Sequence, residues 1–188
     1  MSKNNKKGFT IIEVVLVLAI AGLIFLMVFI ALPALQKSQR NTQRGNDVSR
    51  FLTAVNDYQT NNRNKTPFLN KGEKLGVFTQ KYIDSTCKTD NDATVTKDSC
   101  GDQFTDPDGT QYEWATPVEA TSADGNGGKD ANLTSKFADA TDFNHKLYVV
   151  TNAGCGSYEG TYDYYAGDNY FALFYIEEGG SITCNDNH

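Results

Sequence analysis

One acidic side chain lies at a position where an acid is costly. Glu13 is at the head of the apolar stretch GFTIIEVVLVLAI, and the 22 residues from Val14 to Leu35 carry no charge. A helix of that length crosses the ~30 Å hydrocarbon core of a bilayer. A carboxylate near this depth either extends back to the lipid headgroups or has a functional partner that offsets its burial. The residue types alone leave both interpretations of Glu13 open.

The four cysteines are the second set of residues with chemistry of their own. Cys87, Cys100, Cys155 and Cys184 form no CxxC pair, and the chain has only two histidines to complete a zinc site. An even count in a chain with an export segment favours two disulfides formed in an oxidising compartment. Four cysteines allow three pairings. We expect Cys87–Cys100 and Cys155–Cys184, because each closes a modest loop within one structural unit.

The remaining polar residues form no catalytic set. The sequence contains no GxSxG, HExxH or P-loop motif, and neither histidine lies in a motif that suggests a base. We therefore predict neither an enzyme nor a cofactor. The acid-rich run from Asp84 to Asp108 offers calcium-type ligands, but the chain holds no complete EF-hand loop. A solvated acidic face is the preferred interpretation, and no metal site is predicted.

A group of tyrosines near the C-terminus and two N-glycosylation sequons are weaker patterns. Six tyrosines between Tyr158 and Tyr175 favour sheet packing and a subunit interface over a ligand-binding surface. The N-glycosylation sequons that begin at Asn64 and at Asn132 are too short to predict modification by themselves.

Charge is distributed unevenly along the chain. The formal net charge is −6, yet the first seven residues contain three lysines and no acid. Beyond Gly8 there remain 14 basic and 23 acidic residues, a balance of −9. Such an acidic surface repels phosphate backbones, so nucleic-acid binding is not predicted. No A-x-A-like cleavage site follows the apolar run, so we expect the membrane span to stay with the protein, with its N-terminus inside.

The N-terminal segment also has a family resemblance. The run KKGFTIIEVVLVLAI resembles the leader of type IV prepilins: a short basic peptide, a glycine, an aromatic residue, and a glutamate four residues later. The resemblance implies that a membrane-embedded aspartyl prepilin peptidase cuts between Gly8 and Phe9 and that the new amine of Phe9 is methylated. It is dense over residues 6–35 and much looser beyond them.

In such a scheme Glu13 has a charged partner. Cleavage leaves a cation at Phe9, and Glu13 lies one helical turn away on the same face. Between subunits, Glu13 of an incoming chain meets the Phe9 amine of its neighbour. Attraction between the two charges is strong where water is excluded. Because only one axial offset pairs both charges, we expect the pair to set the register of a filament.

One long helix is predicted to position these residues. The apolar run continues into an amphipathic stripe at three- and four-residue spacing, formed by Val48, Phe51, Leu52, Val55 and Tyr58. The stripe ends in the polar cluster NNRNKTP, where Pro67 interrupts the pattern. We predict a leader over residues 1–8, a helix over residues 9–61 that spans the membrane over 9–35, and a globular head over 62–188.

The head is predicted to be built around strands. KLYVVTNA at 146–153 and YFALFYIE at 170–177 have the strongest strand patterns, and EEGG makes a hairpin turn to the strand SITC. A Pro-Asp-Gly turn precedes a further strand with alternating Tyr112 and Trp114, and residues 119–132 are expected to form a solvated loop. The fold class is therefore α+β: a long N-terminal helix packed on a small antiparallel sheet of about four strands, the pilin fold, with a disulfide-stapled C-terminal region.

The resemblance implies a structural function. The expected protein is a major pilin, a single-pass membrane protein that polymerises with identical or related subunits into a surface filament for adhesion, twitching motility or DNA uptake. Its other partners would be the prepilin peptidase and an inner-membrane assembly platform. Two alternatives stay open: a pseudopilin of a secretion or competence system, and a membrane-anchored binding domain or enzyme that never polymerises. Glu13 discriminates against the last of these, because a plain anchor has no need of it.

Overall fold

The computed structural model describes residues 8–67, 78, 82–83, 105–110, 112–167 and 169–188. Its helix α1 covers Ile11–Asn61, and the chain divides into two compact units inside this helix, between Gln39 and Arg40. The strands are β1 (Glu113–Trp114), β2 (Val118–Glu119), β3 (Ala131–Asn132), β4 (Lys146–Thr151), β5 (Ala153–Cys155), β6 (Thr161–Tyr164), β7 (Phe171–Ile176) and β8 (Ile182–Asp186), with a short 3-10 helix at Leu133–Ser135.

The N-terminal unit is the apolar part of α1. The predicted long helix is confirmed, although it begins at Ile11 rather than Phe9. Within it, an 18-residue window reaches a mean hydropathy of 3.2, and none of that window is buried. The helix continues through Gly22, where helix propensity is low, and through Pro33, which has no amide to donate to the preceding turn. Its length and composition are those of a membrane span.

The C-terminal part of α1 packs on the head. The predicted stripe is confirmed: Val48, Phe51 and Val55 are fully buried, and Leu52 and Tyr58 pack against the same core at partial exposure. The spacing of these residues places them on one side of the helix, so the opposite side can remain polar. The core opposite the stripe comes mainly from β4 and β7, through Leu147, Val149, Phe171, Leu173 and Tyr175.

The main sheet is mixed in direction. Its order is β1-β4-β7-β8, and β2 also pairs with β4. The predicted antiparallel arrangement is confirmed for β4, β7 and β8, including the predicted hairpin between β7 and β8. It is wrong for β1 and β2, which pair with β4 in parallel. Parallel pairing needs a long crossover, and residues 120–145 supply it. The alternation of Tyr112 and Trp114 is the same for either direction and does not encode the pairing.

A second sheet takes its first strand from the end of the predicted loop over residues 119–132. β3, β6 and β5 form a three-stranded antiparallel sheet in that order. The expectation of a solvated loop over residues 119–132 is therefore wrong at both ends, where Ala120 and Ala131 are almost completely buried. The glycine-rich centre of this stretch is tightly turned: a Cβ on Gly125, whose φ is +55°, would lie 2.6 Å from the carbonyl oxygen of Lys129.

The main sheet separates two apolar cores. Leu147 and Val149 of β4 face the core that contains the helix stripe, whereas Tyr148 and Val150 face a second core, which also contains Leu133. All six residues of β7 are buried. Strands covered on both faces are apolar at successive positions, which explains why YFALFYIE is a continuous apolar run.

Candidate processing and assembly site

The chain is open around the predicted cleavage position. Gly8, Phe9 and Thr10 precede α1 and are exposed, and Phe9 is 90% accessible. A Cβ built on Gly8 meets no atom within 4 Å among the residues that the structure describes. The structure therefore places the predicted processing residues in a segment that a protease can approach.

Glu13 has a local role that the sequence analysis missed. Its carboxylate oxygen Oε2 accepts hydrogen bonds from the Thr10 amide and the Thr10 hydroxyl, both at 2.8 Å. The Glu13 amide donates to the Thr10 hydroxyl oxygen at 3.4 Å. This is a capping box, which satisfies backbone donors at the start of a helix. The spacing T-x-x-E before an apolar run was the available signal.

The same end of the helix presents an apolar face with one charge in it. Phe9, Glu13, Val14, Val17 and Leu18 line a shallow open groove along this face. The two donors of Thr10 satisfy oxygen lone pairs of Glu13 but bring no positive charge. Among the residues that the structure describes, no cation pairs with this hydrogen-bonded carboxylate. It lies on an apolar surface, where an ionic partner would be most favourable.

A buried arginine near the start of the second unit was also missed. Arg44 is 1% exposed and lies one turn before Val48, in line with the apolar stripe. Its Nε and Nη2 atoms donate to the two carboxylate oxygens of Asp106 at 2.5 and 2.7 Å. Nη2 also donates to Glu178 at 2.8 Å. The available signal was the position of Arg44 four residues before Val48, on the buried face of the helix. A charged residue on a buried face is usually paired with an opposite charge.

A second arginine completes this network. Arg40 donates to both carboxylate oxygens of Glu178, each at 2.6 Å. The hydrogen bonds from Arg40, together with the one from Arg44, lower the pKa of Glu178 to about 2, against the opposing effect of burial. Asn41 holds the same turn, because its side-chain amide donates to Glu177 and its oxygen accepts from the amide of Glu178. The network fastens the β7–β8 turn and the turn at Asp106 to the helix.

One predicted disulfide is confirmed. Cys155 of β5 is bonded to Cys184 of β8, so the bond joins the three-stranded sheet to the edge of the main sheet. Two hydrogen bonds lie beside it: the Cys155 amide donates to Asp186 at 2.6 Å, and the Ile182 amide donates to Glu159 at 2.7 Å. The predicted Cys87–Cys100 pair, like most of the acid-rich run, lies outside the described residues.

Comparison with known families decides the nature of the N-terminal segment. Residues 3–29 match the family model described as the prokaryotic N-terminal methylation motif. The segment is a prepilin-type signal. Comparison with curated proteins and with solved structures gives no match.

The prepilin-type signal and the fold point in the same direction. The signal supports a type IV pilin-like or pseudopilin protein, a structural family, and implies processing by a prepilin peptidase and assembly into pili. The head agrees, because a long N-terminal helix packed on sheets with a C-terminal disulfide is consistent with the pilin fold. The signal and the exposed apolar helix fit a membrane-anchored precursor that is assembled at the surface.

One cluster in the described part of the head has metal-ligand types. Atoms of Asp106, Asp108 and His145 lie within 4.8 Å of one another. Nδ1 of His145 is 3.6 Å from Asp106, however, while Nε2 is 3.5 Å from Asp108, so the two acids lie at different ring nitrogens. Both oxygens of Asp106 already accept from Arg44. This geometry fits an ion-pair network better than a chelate.

Proposed function

We propose that the chain is a structural subunit, a major pilin, of a type IV pilus filament, to which it contributes its apolar N-terminal helix. The observation that carries the proposal is the exposed apolar face of α1 with Glu13 at its head, inside the segment that matches the methylation motif. Such a face is stable in lipid before assembly and against the same face of other subunits after it.

Processing prepares the helix for assembly. The prepilin peptidase cuts between Gly8 and Phe9, and the amine of Phe9 is then methylated. The cut leaves the capping box intact, because Thr10 and Glu13 lie on the mature side of it. The mature chain therefore begins with a cation next to a helix start that is already formed.

Within the mature chain, the Phe9 amine partly neutralises Glu13, and assembly then supplies the Phe9 amine of a neighbouring subunit as a second partner. Thr10 occupies one oxygen of the Glu13 carboxylate, Oε2, in both of its hydrogen bonds. Oε1 is left to accept from the Phe9 amine of a neighbouring subunit. A charge-assisted hydrogen bond in apolar surroundings is stronger than one in water. The pair therefore selects one axial offset between subunits and disfavours others.

The expected partners follow from this route. The precursor is a single-pass membrane protein, the inner-membrane assembly platform extracts it, and identical or related subunits surround it in the filament. The filament at the cell surface serves adhesion, motility or DNA uptake.

The test of processing uses Gly8. Because a Cβ at this position meets no described residue within 4 Å, Gly8→Leu should leave the folded head unchanged and block the peptidase. Mass spectrometry should find the native protein beginning at a methylated Phe9 and the variant retaining residues 1–8. Native surface material that keeps residues 1–8 would contradict the proposal.

The test of assembly separates the charge of Glu13 from its capping role. Glu13→Gln keeps an oxygen acceptor at the third helical position and removes the charge, whereas Thr10→Ala removes the cap and keeps the charge. We expect Glu13→Gln to give abundant membrane protein with few shear-released fibres, and Thr10→Ala to keep most fibres. A normal fibre yield with Glu13→Gln would overturn the charge-pairing mechanism. Absence of fibres from the native strain would favour a pseudopilin.

A further inference from the structure

One of the two sequons is arranged as an accessible turn. Oδ1 of Asn132 accepts hydrogen bonds from the Thr134 amide at 3.0 Å and from the Thr134 hydroxyl at 2.7 Å. Both side chains are exposed, whereas Leu133 between them is completely buried and fixes the turn to the head. Among the described residues, no hydrogen bond of the Asn132 amide nitrogen is found. The acceptor nitrogen and the hydroxyl two residues later thus lie together at the surface.

The other sequon lacks this arrangement. Asn64 is exposed, but Thr66 is 3% exposed, and its hydroxyl cannot be contacted from solvent in the folded head. An enzyme that recognises both the asparagine and the hydroxyl on the folded domain can use the Asn132 sequon and not the Asn64 sequon. The chain therefore contains its own matched control.

Within the head, the Asn132 sequon lies on the side of the main sheet opposite to the helix stripe. Leu133 packs in the core that contains Tyr148 and Val150, on the face of the main sheet opposite to the helix stripe. The Cys155–Cys184 disulfide indicates an oxidising, exported environment, which is where lipid-linked glycans are transferred.

We propose that Asn132 is a site of N-linked glycosylation, modified on the folded exported head by an oligosaccharide that a polyprenyl diphosphate carries. In the transfer, the Asn132 amide nitrogen forms a bond to C1 of the first sugar, and the bond from C1 to the diphosphate oxygen breaks. The polyprenyl diphosphate leaves with the electron pair, and the amide proton goes to a base of the transferase. The two hydrogen bonds on Oδ1 draw electron density from the amide and make that proton easier to remove.

The modification would also protect an exposed strand. β3, which contains Asn132, is at one edge of the three-stranded sheet. Unpaired sheet edges can join to edges of other chains, and a bulky hydrophilic glycan at this edge would prevent such contacts between neighbouring fibres. This consequence depends on the filament proposal, whereas the modification itself does not.

The experiment is intact-mass and peptide mass spectrometry of the full-length protein extracted from native membranes, so the result does not require filaments. We expect one glycan on the peptide that contains Asn132 and none on the peptide that contains Asn64. Asn132→Asp keeps the oxygen that holds the turn and removes the nucleophilic nitrogen, so it should lose the whole glycan mass. Thr134→Ala should lose it too, Thr134→Ser should keep it, and Asn64→Asp should change nothing.

Several outcomes would overturn the proposal. They are a native protein without a glycan at Asn132, a glycan at Asn64, and a glycan that survives Asn132→Asp, which would place the sugar on a hydroxyl instead. The filament proposal is tested separately, by the yield of shear-released fibres. An unglycosylated protein in normal fibres would reject only the glycosylation site, and a glycosylated protein without fibres would reject only the filament.

Discussion

The two parts of helix α1 differ in what their apolar side chains pack against. Residues 11–39 expose large apolar side chains along almost their whole length, and not one of them is buried. Residues 40–61 bury their apolar stripe against β4 and β7 of the same chain. Both parts are regular helix. The difference is that the head supplies a partner for the second part, whereas the first part needs lipid or another subunit as its surroundings.

The charged residues of the two parts show the same contrast. Glu13 receives hydrogen bonds from Thr10, and within the described ranges, which begin at Gly8, no cation pairs with it. Arg44 meets two carboxylates within its own unit, Asp106 and Glu178. A charge neutralised within the chain contributes to folding, and a charge left unneutralised on an apolar surface is available for association. The comparison therefore predicts that changes at Arg44 affect stability and that changes at Glu13 affect assembly.

The largest expected effect is at Arg44. Arg44→Gln leaves Asp106 as a buried acid without its cation, which typically costs about 3–5 kcal/mol. The measurement is denaturant unfolding of the detergent-solubilised full chain, followed by the fluorescence of Trp114, the single tryptophan, which packs 4.6 Å from Phe51. The double variant Arg44→Gln/Asp106→Asn should recover part of the loss. A change in unfolding free energy below about 1 kcal/mol in the single variant would contradict the prediction that Arg44 contributes to folding.

The next effect is at the disulfide. Replacing Cys155 and Cys184 by serine opens a link across 29 residues, and such a loss typically costs about 2–4 kcal/mol. The hydrogen bonds to Asp186 and Glu159 stay in place, so we expect the hairpin to loosen without complete unfolding. Limited proteolysis should then cut near β8 while the tryptophan signal of the helix side stays native. Loss of both signals together would show that the two sides unfold as one unit.

The third effect is a pH dependence. The pKa of Glu178 is lowered from 4.5 to about 2 by Arg40 first and then by Arg44. A depressed pKa gives stability that is complete above about pH 4.5 and is lost as the pH falls through about 2. We expect Glu178→Gln to lower the unfolding free energy by about 1–3 kcal/mol at neutral pH. The variant should also lose less stability than the native protein as the pH falls from about 4.5 to about 2. Asp47 has a pKa raised by burial and acts in the opposite direction, so the difference between the variant and native curves is the quantity to measure.

The sequence predicted those parts of the protein whose signal is local. The long helix, its stripe from Val48 to Tyr58 and the β7–β8 hairpin follow from periodicity and turn chemistry within a few residues. The Cys155–Cys184 pair follows from count and compartment together with the hairpin. The prepilin-type signal follows from one short motif, and the match over residues 3–29 confirms it. The assignment of Gly8 and Phe9 as the processing residues stays a prediction.

The parts that the sequence did not predict depend on residues far apart in the chain. Arg44 and Asp106 are 62 positions apart, and Arg44 and Glu178 are 134 apart, so no local pattern shows that they meet. The parallel pairing of β1 with β4 depends on the crossover between them, and strand patterns do not record direction. The capping box of Thr10 and Glu13 is local, and its T-x-x-E spacing is present in the sequence. The sequence analysis explained the same glutamate by charge pairing between subunits and did not include a cap.

The smallest expected effect comes from an ion pair that is exposed. Lys146 at the start of β4 donates to Asp139 at 2.7 Å, the same distance as one of the Arg44 contacts, but the two side chains are 32% and 50% exposed. Water screens such a pair, and holding two long side chains together costs entropy, so exposed pairs contribute about 0.2–1 kcal/mol. Lys146→Gln should therefore change the unfolding free energy by less than about 1 kcal/mol at neutral pH, in the same tryptophan assay as Arg44→Gln. Both variants lose one positive charge and gain a glutamine side chain. The ratio of their changes in unfolding free energy therefore compares a buried ion-pair network with an exposed ion pair. Equal effects would mean that the Arg44 network contributes no more to the stability of the head than a surface ion pair does.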